Sequence, residues 1–253
     1  MKFLFRLFIL ILCIICYQCD APKKKDNLKK EKPKQEISKT ENIIEEDTLE
    51  TKEAENIIEE DTLETKETEK WNSLNSSNTE EFLLEYGKRN PETKVIIKTK
   101  FGDIKIRLFE DVPAHRASFI YLTKNKYFNT TVIYRVAKNF VIQGGNSDNY
   151  LTIEERTRHG NYLIEPEFKK HRIHKYGSLA AAREWDNNPN KLSNPFEFYV
   201  VQNKKGAPHL DNQHTVFGEV FEGFDTMTKI SKVQVGEDDW PVDEIPITVE
   251  ILE

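Results

Sequence analysis

The sequence predicts a mainly β domain, folded as an antiparallel barrel, behind a charged tether with no core of its own. Two observations point to the barrel and a third to the tether. Short strand-like runs recur from Val95 to Leu252. Only two or three segments among them read as helices, which fits an antiparallel barrel better than a parallel sheet. Before about Trp71, charge replaces apolar content, and such a chain cannot bury enough surface to offset its conformational entropy.

From the N-terminus, the first seventeen residues are apolar apart from Lys2 and Arg6, with an unbroken apolar run from Leu7 to Cys16. That run is too short for a comfortable membrane span and has the charged start and short core of a secretory signal. All three cysteines, Cys13, Cys16 and Cys19, lie in or just after it, so the mature chain has no internal disulfide and relies on its core. A cysteine ending such a segment also marks a bacterial lipoprotein, acylated at that residue. Cys19, followed by Asp20, is the first choice and Cys16 the second, although Gln18 and Ile15 stand where a small residue is expected. The expectation is an exported protein of the cell envelope or periplasm, anchored to a membrane by lipid; simple cleavage and soluble secretion is the alternative.

Residues 1–19 are thus read as the signal segment, 20–70 as a disordered charged linker and 71–253 as the folded domain, with its core at about 94–253. The linker changes sign along its length. Residues 20–40 carry eight lysines against four acidic residues, and residues 41–70 carry thirteen acidic residues against three lysines. The basic half, next to the proposed anchor, suits anionic lipid. The acidic half contains ENIIEEDTLETKEA (41–54), repeated as ENIIEEDTLETKET (55–68). Two heptads invite a coiled coil, but Ile43, Ile44 and Leu49 do not recur at alternating steps of three and four. A duplicated spacer is the plain reading and a partner-binding motif the other. The remaining domain carries a net charge near −2 of the chain's −6, which gives no sign of nucleic-acid binding.

Within the domain, TEEFLLEYGK (79–88) predicts a short amphipathic helix with acidic residues in its first turn. Residues 95–99 and 103–108 alternate around Phe101-Gly102 and predict a hairpin. Pro113 opens a second helix to about Lys124, presenting Phe119, Ile120 and Leu122 to a core. Strands are expected at 132–134, 140–143, 178–182, 196–202, 215–220 and 247–252, and a third helix at 223–233. HRIH places His171 and His174 three apart without a carboxylate or cysteine pattern, so exposed loop histidines are favoured over metal ligands. No metal or cofactor is expected.

The run VIYRVAKNFVIQGGN (132–146) is the most specific feature. Alternate side chains of a strand share a face, so the spacings of Arg135, Phe140 and Gln143 demand a turn or bulge at 136–139. They demand a second irregularity too, which Gly144-Gly145 offers. The run resembles the signature of the cyclophilins, the peptidyl-prolyl cis-trans isomerases, departing conservatively at Tyr134, Val141 and Asn146. LAAAR (179–183), FEFYVVQ (196–202) and HLDNQHTVFGEV (209–220) resemble three further family segments in order. The resemblance implies a closed eight-stranded antiparallel barrel with a helix over each open end. It also implies proline-containing polypeptide clients and a monomeric isomerase; together with the signal reading, the expectation is an isomerase that assists folding of exported or envelope proteins.

An X-Pro amide rotates slowly because twisting it costs about 18–20 kcal/mol of resonance. No bond is made or broken, so a catalyst needs an apolar seat for proline and a donor for the twisted amide, whose nitrogen becomes more basic. A guanidinium suits that task, being always charged and rigidly planar. By resemblance Arg135 is the catalytic donor and Gln143 orients the substrate backbone. Phe140, Leu210 and Tyr199, the last standing where phenylalanine is usual, form the pocket wall beside Val141. Ala182 lets substrate approach closely, and His214 matches the family's pocket histidine. Glu197 replaces a substrate-contacting glutamine and is expected close enough to Arg135 to pair with it. His209 stands where a tryptophan usually confers tight cyclosporin binding, which predicts weak inhibition. Arg183 replaces an asparagine, and residues 184–195 read as a loop rimming the pocket. The competing readings are a non-catalytic proline-peptide-binding module, in which Glu197 neutralises Arg135, and a scaffold whose repeats are the working part.

Overall fold

The computed structural model describes residues 74–252. The stretch read as a signal segment, Cys16, Cys19, and the charged stretch with its repeat lie outside the described residues. Eight strands form one antiparallel sheet in the order β3-β4-β6-β5-β7-β2-β1-β8. Strands β1 (Lys94–Thr99) and β2 (Gly102–Leu108) make the expected hairpin, Thr99 pairing with Gly102 across the turn. Along β2, Ile104, Ile106 and Leu108 face the core while Asp103 and Arg107 face water, the alternation that made the strand readable.

Strands β3 (Val132–Ala137) and β4 (Val141–Asn146) are joined by a tight turn in which Asn139 adopts a φ of +59°. The sheet continues through β6 (Phe198–Val201), β5 (Ser178–Ala181) and β7 (Val216–Glu222). Strand β8 (Thr248–Ile251) follows a segment that curls back onto β3. There the Ile133 N–H donates to Ile245 O at 2.9 Å and the Ile247 N–H to Thr131 O at 3.2 Å, so the curled sheet meets itself.

Helix α2 (Pro113–Lys124) starts with proline at its first turn and covers one end, against β7 and β8. The short α4 (Phe224–Ile230) packs on β2. Helix α1 (Thr79–Arg89) lies on α2 as an outer layer. Its last carbonyls are satisfied by buried Arg116, whose guanidinium donates to Gly87 O and Asn90 O, each at 2.8 Å. A Cβ on Gly87 would lie 3.0 Å from Ala117 Cβ, so the glycine permits this close approach.

The described residues contain a fourth helix, α3 (Tyr150–His159), that the sequence did not reveal. Its apolar residues Tyr150, Leu151 and Ile153 are exposed, so it presents no periodic apolar stripe to read. No helix among the described residues is long and apolar enough to cross a membrane.

Candidate active site

The site is assembled by register. Arg135 of β3 pairs directly with Gln143 of β4, and Gln143 pairs with Tyr199 of β6. Residues paired across antiparallel strands share a face, so these three side chains meet. The pairing skips Tyr134 on β3 and Gly145 on β4. The expected bulge at the glycines exists, but it falls after Gln143 and does not bring Phe140 to the site. Phe140 arrives because it ends the turn, its N–H bonded to Ala137 O at 3.0 Å, outside the ladder. Gly145 is needed for another reason: at φ +95° a Cβ would lie 2.0 Å from Phe196 O.

These residues open onto a cavity of about 420 Å³. Arg135, Gln143, Phe140 and Val141 line it from β3, β4 and their turn, and Tyr199 from β6. Ala182, just past β5, and the segment carrying His209, Leu210 and His214 complete the wall. Phe140 stacks on His209 with centroids 5.5 Å apart and planes 23° from parallel. Arg183 and Trp185, from the rim loop, also line the cavity; the Arg183 guanidinium sits 4.3 Å from the Trp185 ring. A second cavity, about 390 Å³ between α1 and the segment around Tyr162, shares none of these residues.

Glu197 is placed elsewhere. It does not line the cavity and does not pair with Arg135: its carboxylate accepts from Arg156 Nη2 at 2.6 Å and from the Tyr134 hydroxyl at 2.8 Å. Arg156 belongs to α3, so the helix hidden from the sequence supplies the competing cation. Arg135 instead donates through Nη1 to Gln143 Oε1 at 3.4 Å and through Nη2 to Asp239 Oδ2 at 3.0 Å. Asp239 sits in a turn with Asp238, both at positive φ, held by Trp240 packed on Tyr134 with centroids 5.6 Å apart. No local signal ties position 239 to position 135, since the contact is made only when the chain before β8 folds over β3.

The family model "Cyclophilin type peptidyl-prolyl cis-trans isomerase/CLD" matches residues 94–250. The chain belongs to this family. Curated relatives agree. A Staphylococcus saprophyticus protein described as a candidate peptidyl-prolyl cis-trans isomerase is 31% identical over 195 residues, covering 64% of this chain and 93% of its own. A Staphylococcus haemolyticus counterpart is 31% identical over 183 residues, covering 62% and 89%. Among solved structures, a cyclophilin-type isomerase of Cryptosporidium parvum superposes with a TM-score of 0.55 at 25% identity, over 64% of this chain and 98% of that one. A second structure of that protein, in the presence of the dipeptide Ala-Pro, gives 0.54 over 63% and 99%.

In this cyclophilin burial holds two rings of the cavity wall, His214 and Tyr199, in their neutral forms. His214 is pushed down to about 4, and its Nδ1 lies 3.0 Å from Ala181 O, a distance that assigns the proton to Nδ1. The Tyr199 phenol is raised well above its ordinary value, again chiefly by burial. Tyr134 is raised by burial and then by the neighbouring Glu197 charge. The rings of the wall are therefore uncharged, with the Arg135 and Arg183 guanidiniums at its edge. No cluster of three or more His, Cys, Asp or Glu able to hold a metal exists among the described residues. His171 is exposed and bonds Asp111, whereas His174 is buried, contrary to the expectation of two exposed loop histidines.

Proposed function

We propose that this cyclophilin isomerises X-Pro bonds in exported or envelope polypeptides, as a monomer tethered to a membrane through acylated Cys19, with Cys16 the alternative. One observation carries the catalytic reading: Arg135, braced by Gln143, stands at the edge of an apolar cavity walled by Phe140, Leu210 and Tyr199. The proline ring seats against that wall. As the amide twists, its nitrogen gains electron density, and Arg135 donates to it; Gln143 keeps the guanidinium and the substrate backbone in register. No proton is transferred and no covalent bond changes. Support for the localisation comes from the charged start, short apolar run and terminal cysteines of the first nineteen residues.

Exchange NMR of a short X-Pro peptide with the full chain, wild type beside Arg135→Ala, tests the mechanism. Acceleration that disappears in the variant is expected; equal acceleration by the variant would sink it. The contact between Arg135 and Asp239 favours a second reading, a binding module whose guanidinium is already occupied. That reading predicts peptide binding without acceleration by the wild type. Mass spectrometry of the mature N-terminus separates acylation at Cys19 or Cys16 from simple cleavage.

A further inference from the structure

Behind the cavity wall lies a buried relay that the mechanism above does not use. His174 is 2% exposed. Its Nδ1 is 2.7 Å from Asp211 Oδ1, and its backbone N–H donates to the same oxygen at 2.9 Å. Its Nε2 is 3.0 Å from the Tyr199 hydroxyl. A carboxylate only accepts, so Nδ1 carries the proton and Nε2 offers a lone pair; the hydroxyl of Tyr199 then donates to it. The phenol of Tyr199 would otherwise be a buried donor with no partner, which costs more than an ordinary hydrogen bond returns.

The rings are also packed as a set. His174 lies nearly parallel to Tyr199, at 16° with centroids 6.0 Å apart, and His214 meets Tyr199 edge-on at 5.4 Å. Asp211 retains partial exposure while Tyr199 lines the cavity, so the relay runs from the surface to the proline wall. Tyr199 is the residue at which this chain departs from the phenylalanine usual in the family, and His174 meets the group that the departure adds.

We propose that His174, fixed in one tautomer by Asp211, is a positioning residue that locks the Tyr199 ring in the cavity wall and so sets the fit of the substrate's proline. The inference rests on the reading of this cavity as the X-Pro site. Protonating His174 puts N–H groups on both nitrogens, and the Tyr199 hydroxyl then has no acceptor there. The groups bearing on that titration are Asp211 and His209 from the turn carrying Leu210, Tyr199 from β6, and His214 with Arg183 beside it. Burial holds His174 below the usual histidine range, so the lock is closed near neutral pH and opens on acidification.

The test measures peptide affinity and isomerisation together, by NMR titration and exchange of one X-Pro peptide with the full chain. His174→Ala is expected to weaken binding about fivefold to tenfold, the factor for one buried hydrogen bond, with the turnover of bound peptide within about twofold. His174→Gln, which restores an acceptor near Tyr199, recovers most of that loss. In a Tyr199→Phe background the His174→Ala substitution has no further effect, and affinity no longer falls between pH 7 and pH 5. Equal losses in both backgrounds, or an unchanged pH profile in Tyr199→Phe, would overturn the relay. If His174→Ala does not fold, His174→Gln and the pH profile of Tyr199→Phe still decide. A wild type that binds without accelerating exchange defeats the isomerase reading alone, because the coupling is read in affinity.

Discussion

Two buried histidines in this domain are wired alike and end differently. His115 and His174 are each 2% exposed. Each has Nδ1 2.7 Å from a carboxylate oxygen that also accepts the same residue's backbone N–H, Glu167 for His115 and Asp211 for His174. Each presents Nε2 to a hydroxyl, Ser193 at 2.9 Å and Tyr199 at 3.0 Å. The serine–histidine–glutamate set has the spacing of a nucleophilic triad, yet Ser193 is 1% exposed and lines neither cavity described above, so its Oγ has no open approach from them. Glu167 also accepts from the Ala114 N–H at the start of α2. That network anchors a helix end, with Glu167 reaching the second cavity, while its counterpart ends at Tyr199 on the wall of the Arg135 cavity. The same three-group chemistry holds the fold or tunes a site according to what its last hydroxyl touches.

The sharpest break of this comparison is His115→Ala. It leaves the Glu167 carboxylate without its main partner, and the expected loss is about 2–4 kcal/mol of stability, or roughly 5–12 °C in Tm for a domain of this size. Peptide affinity of the folded fraction is unchanged. Thermal melts with NMR titration below the transition check both, and a large loss of affinity in the folded state would place His115 in the site.

Acid separates the two networks next. His174 and His214 have folded-state pKa values depressed by burial, so the unfolded chain takes up protons first, and their stability is lost as pH falls from about 6.5, for His214 down to about 4. Burial alone would raise Glu167, but its bonds to His115 and to the backbone leave it lowered. Its contribution persists until pH falls below the ordinary glutamate value of 4.5. Urea unfolding at pH 7, 5.5 and 4.5 is expected to show a first loss on the order of 2–3 kcal/mol that survives Glu167→Gln and shrinks in His174→Gln. A first loss abolished by Glu167→Gln would reverse the assignment.

The strand pattern made the fold legible because alternation is a local property. β2 and the turn between β3 and β4 could be placed from neighbouring residues alone. The cavity set was legible for a different reason, since Arg135, Phe140, Gln143, Leu210 and His214 each match the family residue in segments that depart from it only at neighbouring positions such as Tyr134, Val141 and His209. What stayed hidden depends on long-range closure. α3 buries little apolar surface, so neither it nor Arg156's claim on Glu197 left a periodic trace. Asp239 reaches Arg135 across 104 residues of chain, and His174 looked like half of a loop motif until Asp211 and Tyr199 were folded against it.

Smaller effects follow from the carboxylate that Arg135 meets, Asp239, and the one it was expected to meet, Glu197. Asp239 and Arg135 are each more than a third exposed, and such pairs contribute little, so Asp239→Ala should lower isomerisation by no more than about fivefold. If Asp239 acts as a brace, Asp239→Asn keeps an acceptor and most of the activity; if it only offsets charge, Asp239→Asn exceeds the wild type. Glu197→Gln should change isomerisation less still, within about twofold, because its charge is already spent on Arg156 and Tyr134. Its cost appears as about 1 kcal/mol of stability instead, from a half-buried Arg156 left with a weaker partner. Exchange NMR on the three variants orders them, and a Glu197→Gln enzyme markedly faster than wild type would restore the direct pairing with Arg135 that the sequence led one to expect.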